Sequence, residues 1–256
     1  MNGQDRKARR ARLLLIALGV VVVAALAGGA LTAFSLLDGG GSPTGKPKPS
    51  DSSKPNPGSS TPPRDAMTPD KAKKIVLIPG TKQQGGVSRG FPFTGNGGIS
   101  AVVNFWEEYA FMDDRAAREQ LKAVASPDAT GYIEEQVTEV RKLREGVGLP
   151  PSGGAPAGIT FTTSVNAACA TSIGTSGKVM QIWLAYDQYA TKADGGADRN
   201  PLKGEEIDFI IKWQDGDWKL TNEPKYRKQR TFPASYFPDS TVASTDGWRQ
   251  VRHADY

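Results

Sequence analysis

Apolar and polar side chains alternate over residues 159–173, a period of two that is typical of a β-strand with one buried face. The same period continues over residues 179–189, which predicts a second long strand. On that strand we expect one face to carry Met180, Ile182, Leu184 and Tyr186 and the other to carry Trp183.

A third alternating run covers residues 206–213, in which Ile207 and Phe209 take one face. Glu206 and Asp208 take the opposite face, which predicts that both carboxylates point into solvent. The dipeptide Asp215-Gly216 follows and is a strong signal for a two-residue hairpin turn. The strands are therefore predicted to form an antiparallel meander.

Three helices are predicted ahead of these strands, because the apolar spacing there changes to three and four residues. The first helix has its apolar positions at Ile99, Val102, Val103, Trp106, Tyr109 and Ala110. Asp113 or Asp114 is placed to cap the second helix, and Ser126-Pro127 has the form of a start for the third. The predicted fold class is therefore α+β, with three helices packed on one face of a curved antiparallel sheet over residues 85–222.

Residues 13–37 contain no charged side chain and form the longest apolar run of the chain. At about 1.5 Å per residue, such a helix covers a hydrocarbon core of roughly 30 Å. A basic tail, residues 1–12, precedes it and holds the N-terminus in the cytoplasm. The basic residues of this tail are Arg6, Lys7, Arg9, Arg10 and Arg12. We therefore predict a single-pass cell-membrane protein whose remaining residues are extracytoplasmic.

A cleavable signal peptide is the alternative, because Ala25-Leu26-Ala27 fits the small-x-small cleavage pattern. Both interpretations place the rest of the chain in the same compartment. Ala25, Gly29 and Ala33 recur every four residues, a spacing that lets two membrane helices pair but that also arises by chance in such segments.

Residues 38–84 are rich in Pro, Gly, Ser and Lys and predict a disordered tether, with a typical reach of about 40 Å. Within it, the apolar island at residues 73–79 is either an edge strand or a segment docked on the domain. Residues 223–256 are predicted to be a C-terminal tail.

The basic charge of the chain, with a pI near 9.2, is concentrated in its N-terminal part. Residues 99–256 carry 18 basic and 22 acidic side chains. Nucleic acid is therefore not an expected partner of the folded domain, since its surface is not positive overall.

The order of three helices followed by long strands, closed by the hairpin Ile210-Ile211-Lys212-Trp213-Gln214-Asp215-Gly216-Asp217-Trp218-Lys219-Leu220, resembles the cone-shaped nuclear-transport-factor-2-like fold. A membrane helix and tether before such a cone are similar to the bitopic scaffold proteins of type IV secretion and conjugation machines. Arg89-Gly90-Phe91-Pro92-Phe93-Thr94 is similar to a segment of uncharacterised, membrane-anchored actinobacterial proteins. The resemblance implies an extracytoplasmic scaffold with the bilayer, envelope proteins or a second copy as partners.

Catalytic chemistry has little support in the sequence. The single histidine, His253, lies near the C-terminus, and the single cysteine, Cys169, lies in an alternating run as a small buried hydrophobe. We expect no enzyme, no cofactor and no metal ligand. Some cone-shaped relatives are enzymes, and in that alternative the candidates are Asp187, Tyr186, Asp208 and Tyr109.

Two sets of residues are candidates for binding. The first could line a cavity in the cone and comprises Trp106, Tyr109, Trp183, Trp213 and Trp218. The second is basic, lies in the tail and comprises Lys225, Arg227, Lys228 and Arg230. A cavity filled by aromatic rings favours the scaffold, whereas an open, partly polar cavity favours a membrane-tethered small-ligand-binding or sensory module. A buried carboxylate at its floor would favour an enzyme.

Overall fold

The structure is a computed structural model that describes residues 66–193, 198 and 201–254. The predicted cytoplasmic tail, the predicted membrane helix at residues 13–37 and most of the predicted tether lie outside the described residues. Across the part of the chain that is described, none of the helices is both long and apolar enough to cross a membrane.

The described chain forms eight strands and five helices, in an α+β arrangement. The strands are β1 (Ile75–Val76), β2 (Lys82–Gln84), β3 (Val87–Arg89), β4 (Ile159–Ser172), β5 (Val179–Lys192), β6 (Leu202–Gln214), β7 (Asp217–Leu220) and β8 (Arg249–Arg252). The helices are α1 (Gly95–Glu108), α2 (Asp114–Val124), α3 (Tyr132–Gly146), α4 (Pro224–Arg227) and α5 (Thr241–Thr245).

Six strands build one sheet in the order β1-β8-β4-β5-β6-β7, and it curls into a half-barrel. All neighbours in it are antiparallel except β1 and β8, which are parallel. Strands β2 and β3 form a separate hairpin. The predicted α+β class with a curled antiparallel sheet is confirmed.

Helix α1 packs its apolar face on the sheet, as its spacing predicts, with Val102, Val103 and Trp106 buried. Thr94 caps it by accepting a hydrogen bond from the amide of Gly97. Asp113 caps α2 by accepting from the amides of Arg115 and Ala116, so the predicted cap is confirmed.

The third helix begins later than the sequence predicts. Ser126 forms a turn, and its backbone and side chain are bound to the sheet through Leu220 O and Gln214 Oε1. Helix α3 therefore starts at Tyr132, after Gly131 in the left-handed conformation. Ser126-Pro127, which was predicted to start the helix, forms a turn instead, because the end of β7 binds the backbone of Ser126.

The hairpin turn at Asp215-Gly216 is confirmed, since Gln214 and Asp217 pair across it. Asp215 has φ of 53° and Gly216 has φ of 76°, the two positive values that a type I′ turn requires.

The C-terminal residues fold back onto the outer face of the sheet. Trp248 is fully buried there and packs in a cluster with Ala167, Cys169, Ala185 and Ala243. Burial of Cys169 agrees with the prediction from its alternating run. Residues 223–254 thus belong to the folded unit rather than extending from it as a tail.

The folded unit also starts before the predicted boundary at residue 85. Strand β1, inside the apolar island of the predicted tether, pairs with β8 through Ile75 and Val251. Leu77, just after this strand, is buried and donates its amide to Arg252 O at 2.8 Å. The island is therefore a strand, one of the two alternatives that the sequence left open.

Candidate functional site

The inside of the half-barrel brings together two of the five predicted cavity residues. The rings of Trp106 and Tyr109 stack at 5.9 Å between centroids, and Trp106 also meets Tyr186 edge-on at 5.3 Å. Phe209 closes the cluster at 5.5 Å from Trp106. Aromatic rings therefore fill this part of the interior, with all four side chains buried.

Three polar atoms in this cluster have no hydrogen-bond partner among the described residues: Trp106 Nε1, Tyr109 Oη and Tyr186 Oη. Burial raises the pKa of both tyrosines, so their hydroxyls stay protonated. A buried polar group without a partner costs about 1–3 kcal/mol, so these three atoms are a local cost to stability within the packed rings.

The other three predicted cavity residues lie elsewhere. Trp183 is on the outer face, where its Nε1 donates to Thr231 O at 3.1 Å. Trp213 and Trp218 form a separate group with Phe93, whose ring lies 5.0 Å and 5.7 Å from theirs. The five residues therefore line no common cavity.

The buried carboxylates do not form a catalytic pair. Asp208 was predicted to face solvent, but its side chain is 2% exposed and forms an ion pair with Arg230. It is on the outer face as predicted, yet the C-terminal residues cover that face. Asp217 pairs with Arg89 at 2.7 Å and Asp114 pairs with Arg141 at 3.0 Å. Each of these three buried carboxylates thus forms an ion pair with an arginine.

The other acid and base candidates also form hydrogen bonds or ion pairs with nearby residues. Asp187, one of the enzyme candidates, accepts hydrogen bonds from the Tyr189 hydroxyl and the Gly204 amide. His253 is exposed and lies 3.1 Å from Glu107, whose pKa is raised chiefly by burial. Across the described residues, no group of three or more His, Cys, Asp or Glu side chains could hold a metal ion.

The four basic candidates after residue 222 have different environments. Arg230 is turned inward to Asp208, while the Lys225 ammonium is exposed and lies 2.9 Å from Glu223. Lys228 is exposed, and Arg227 lines a shallow cleft of about 40 Å³ beside Tyr132. That volume holds only a few water molecules.

An open groove of about 490 Å³ lies at the side of the sheet, and we call it the edge groove. Its apolar residues come from β1, α1 and β4 and are Ile75, Val76, Ile99, Ala168 and Ala170. Its other residues are Lys73, Lys74, Asn96, Gly247 and Arg249. A volume of this size is typical of a binding site.

The edge groove exists because β8 is short. It pairs with β4 only at Ala167 and Ala168, although β4 continues to Ser172. Strand β8 begins at Arg249, and the chain before it turns to the outer face, where Trp248 is buried. A gap is left between β1 and the far end of β4, and Ile99 of α1 forms part of its lining.

The rim of the edge groove is positively charged. Lys73 and Lys74 are exposed, and the Arg249 guanidinium is held by donating from Nε to Lys73 O at 2.9 Å. Asn96 donates its amide to Val76 O at 2.9 Å, and its Oδ1 is buried with no partner among the described residues. None of the lining residues is acidic.

Sequence reasoning found the apolar island that supplies β1, but not the groove. The groove depends on where β8 ends relative to β4, and no local pattern carries that information. Comparison with protein-family models, with curated proteins and with solved structures found no significant match to this chain.

Proposed function

We propose that this protein is a single-pass membrane protein whose extracytoplasmic domain is an interaction module that docks an envelope protein in the edge groove. The observation that carries the proposal is the groove itself. It has an apolar lining, a cationic rim and a volume of about 490 Å³. An exposed concave surface with apolar residues inside a charged rim is the usual form of a recognition site.

The interior of the half-barrel supports a scaffold over an enzyme. Trp106, Tyr109, Tyr186 and Phe209 fill it, and the buried carboxylates are paired with arginines. The predicted membrane helix and tether, together with the resemblance to nuclear-transport-factor-2-like scaffolds, suggest a role in a conjugation-type secretion complex. In that role the protein binds neighbouring subunits rather than a substrate.

A small-ligand-binding module is the second candidate. Its support is a set of three buried polar atoms, on Trp106, Tyr109 and Tyr186, that have no hydrogen-bond partner within the described part of the chain. Native mass spectrometry of the full-length chain tests it, because a co-purified molecule of a few hundred daltons would favour ligand binding over the scaffold.

Site-specific photocrosslinking in cells tests the docking proposal. A photoreactive amino acid replaces Lys73 at the groove rim in the full-length chain, and in a matched control it replaces Lys228, another exposed lysine. We expect a defined protein adduct from position 73 that is absent from position 228 and weakened by Lys74→Glu. Equal adducts at both positions, or none at position 73, would reject the groove as the docking site.

A further inference from the structure

We infer that the partner enters the edge groove as an extended acidic segment that pairs with the free edge of β4 as an added strand. This inference rests on the proposed function, because it names the form and chemistry of the partner that the groove accepts.

The first argument is the direction of the β4 backbone. The amide of Ile173 donates to Val179 O at 2.8 Å across the β4–β5 pair. Since the facing groups alternate along an antiparallel strand, the backbone groups of Ala170 and Ser172 point away from β5, toward the open edge. Among the described strands, β8 is the one that pairs with this edge, and it stops at Ala168.

The second argument is the shape of the gap. An added strand lies about 4.8 Å from its neighbour, and in this position it would extend the line of β8 beyond Arg249. Gly247, two residues before β8, lines the edge groove together with Ala170, so the open volume of the groove lies beside this part of β4. Ile99 and Ala170 give an apolar surface for alternate side chains of the segment, as in other cases of strand addition.

The third argument is charge. Lys73 and Lys74 are exposed on the rim, and the groove has no acidic residue of its own. Acidic side chains on the segment would therefore find complementary charges, since neither lysine forms an ion pair with another residue that the structure describes. Residues 38–65, the part of the predicted tether that precedes the described residues, carry four basic and three acidic side chains and do not provide this complement. The geometry and charge fit a segment of another protein.

A peptide-binding experiment tests the inference on the full-length chain purified in detergent. The probe is a fluorescent ten-residue peptide of alternating Val and Glu, compared with alternating Val and Lys. A third peptide repeats the Val-Glu sequence with N-methyl groups on every second residue, which removes the main-chain donors along one edge of the extended peptide. We expect the Val-Glu peptide to bind and the other two to bind at least about 10-fold more weakly.

Variants of the chain locate the binding. Lys73→Ala with Lys74→Ala is expected to weaken the Val-Glu peptide about 3- to 10-fold, as for two exposed charge pairs. The matched control, Lys225→Ala with Lys228→Ala, removes two exposed lysines outside the groove and should leave binding unchanged. Bound peptide should also slow hydrogen exchange at the amides of Ala170 and Ser172, which point to the open edge.

Loss of discrimination between the peptides overturns the inference, as does equal binding by the N-methylated peptide or by the Lys73/Lys74 variant. These outcomes would not affect the photocrosslink at position 73, which tests the docking proposal separately. The docking proposal itself fails if position 73 gives no specific adduct in cells.

Discussion

Arg230 binds Asp208 through a hydrogen bond from Nε to Oδ2 at 2.9 Å, on the outer face of the sheet. The two side chains are 13% and 2% exposed, so the pair is largely removed from water. Gln181 donates to the same carboxylate oxygen at 2.8 Å. This ion pair therefore links the residues that follow β7 to strand β6 of the sheet.

Arg230→Ala is predicted to destabilise the fold strongly, because it leaves the Asp208 carboxylate buried without its cation. Breaking a buried pair in this way costs about 3–5 kcal/mol. Chemical denaturation measures the free energy of unfolding, with Lys228→Ala as an exposed control that should change it by less than about 0.5 kcal/mol. Adding Asp208→Asn to Arg230→Ala should restore part of the loss, and an equal or larger loss in the double variant would contradict a charge-based cause.

Tyr186→Phe is predicted to leave the free energy of unfolding unchanged or to raise it by about 1 kcal/mol. Its hydroxyl has no partner among the described residues and the side chain is fully buried, so removing that oxygen removes an uncompensated cost. Thermal unfolding of the two proteins provides the measurement. A loss of more than about 1 kcal/mol would mean that bound water or a ligand satisfies the hydroxyl.

Gly97→Ala is predicted to destabilise the protein by about 2 kcal/mol or more, because a Cβ at this position would meet the backbone oxygen of Pro92 at 2.0 Å. Pro92 O is also fixed by the indole of Trp218, which donates to it at 3.0 Å. Gly146→Ala, at the end of α3, is the control because its Cβ would meet nothing within 4 Å. That change should stabilise the helix by up to about 1 kcal/mol. Equal melting temperatures for the two variants would contradict the close approach.

Cys169 is predicted to react slowly with iodoacetamide in the folded protein. Burial, with a smaller contribution from the charge of Asp246, raises the pKa of the thiol to about 11. The side chain is 3% exposed, and Sγ donates to Asp246 O at 3.0 Å. At pH 8 the labelling rate should be at least about 100-fold lower than in the denatured chain, since the thiolate is the reacting form.

The raised pKa of Cys169 also predicts a stability change in alkali. The folded state holds this proton to a higher pH than the unfolded state does, so the thiol's contribution is complete below its ordinary pKa of about 8.5. It then declines as the pH rises toward 11. Cys169→Ala should reduce this decline in the unfolding free energy between pH 8 and 10, and an unchanged slope would contradict the assignment.

Much of the secondary structure could be predicted because each element has one apolar side. The alternation of Ile207 and Phe209 with Glu206 and Asp208 assigned faces to β6 correctly. What it could not reveal was that residues 223–254 cover the polar face. A polar residue between apolar neighbours indicates the opposite face, and only the rest of the fold decides whether water or protein lies there.

The candidate site was harder to predict because it depends on contacts between distant parts of the chain. Trp106 lies on α1 and Tyr109 directly follows the end of this helix, so the two rings come close enough to stack. Trp183 is an aromatic residue as well and was predicted to line the same cavity, but it lies on the opposite face of the sheet, next to Phe232. The aromatic residue type suggested a common cavity. The face on which each strand residue lies puts Trp183 outside the half-barrel, away from Trp106 and Tyr109.

The pairing of β1 with β8 has a consequence for the order of events during synthesis. Ile75 leaves the ribosome long before its partner Val251, so the two strands pair only after the helices and β4–β7 have been made. The edge groove lies between β1 and β4 and is bounded by Arg249, so it is assembled only after β8 has been made. A chain that stops before β8 consequently lacks this groove, because Arg249 and the pairing of β1 with β8 are missing.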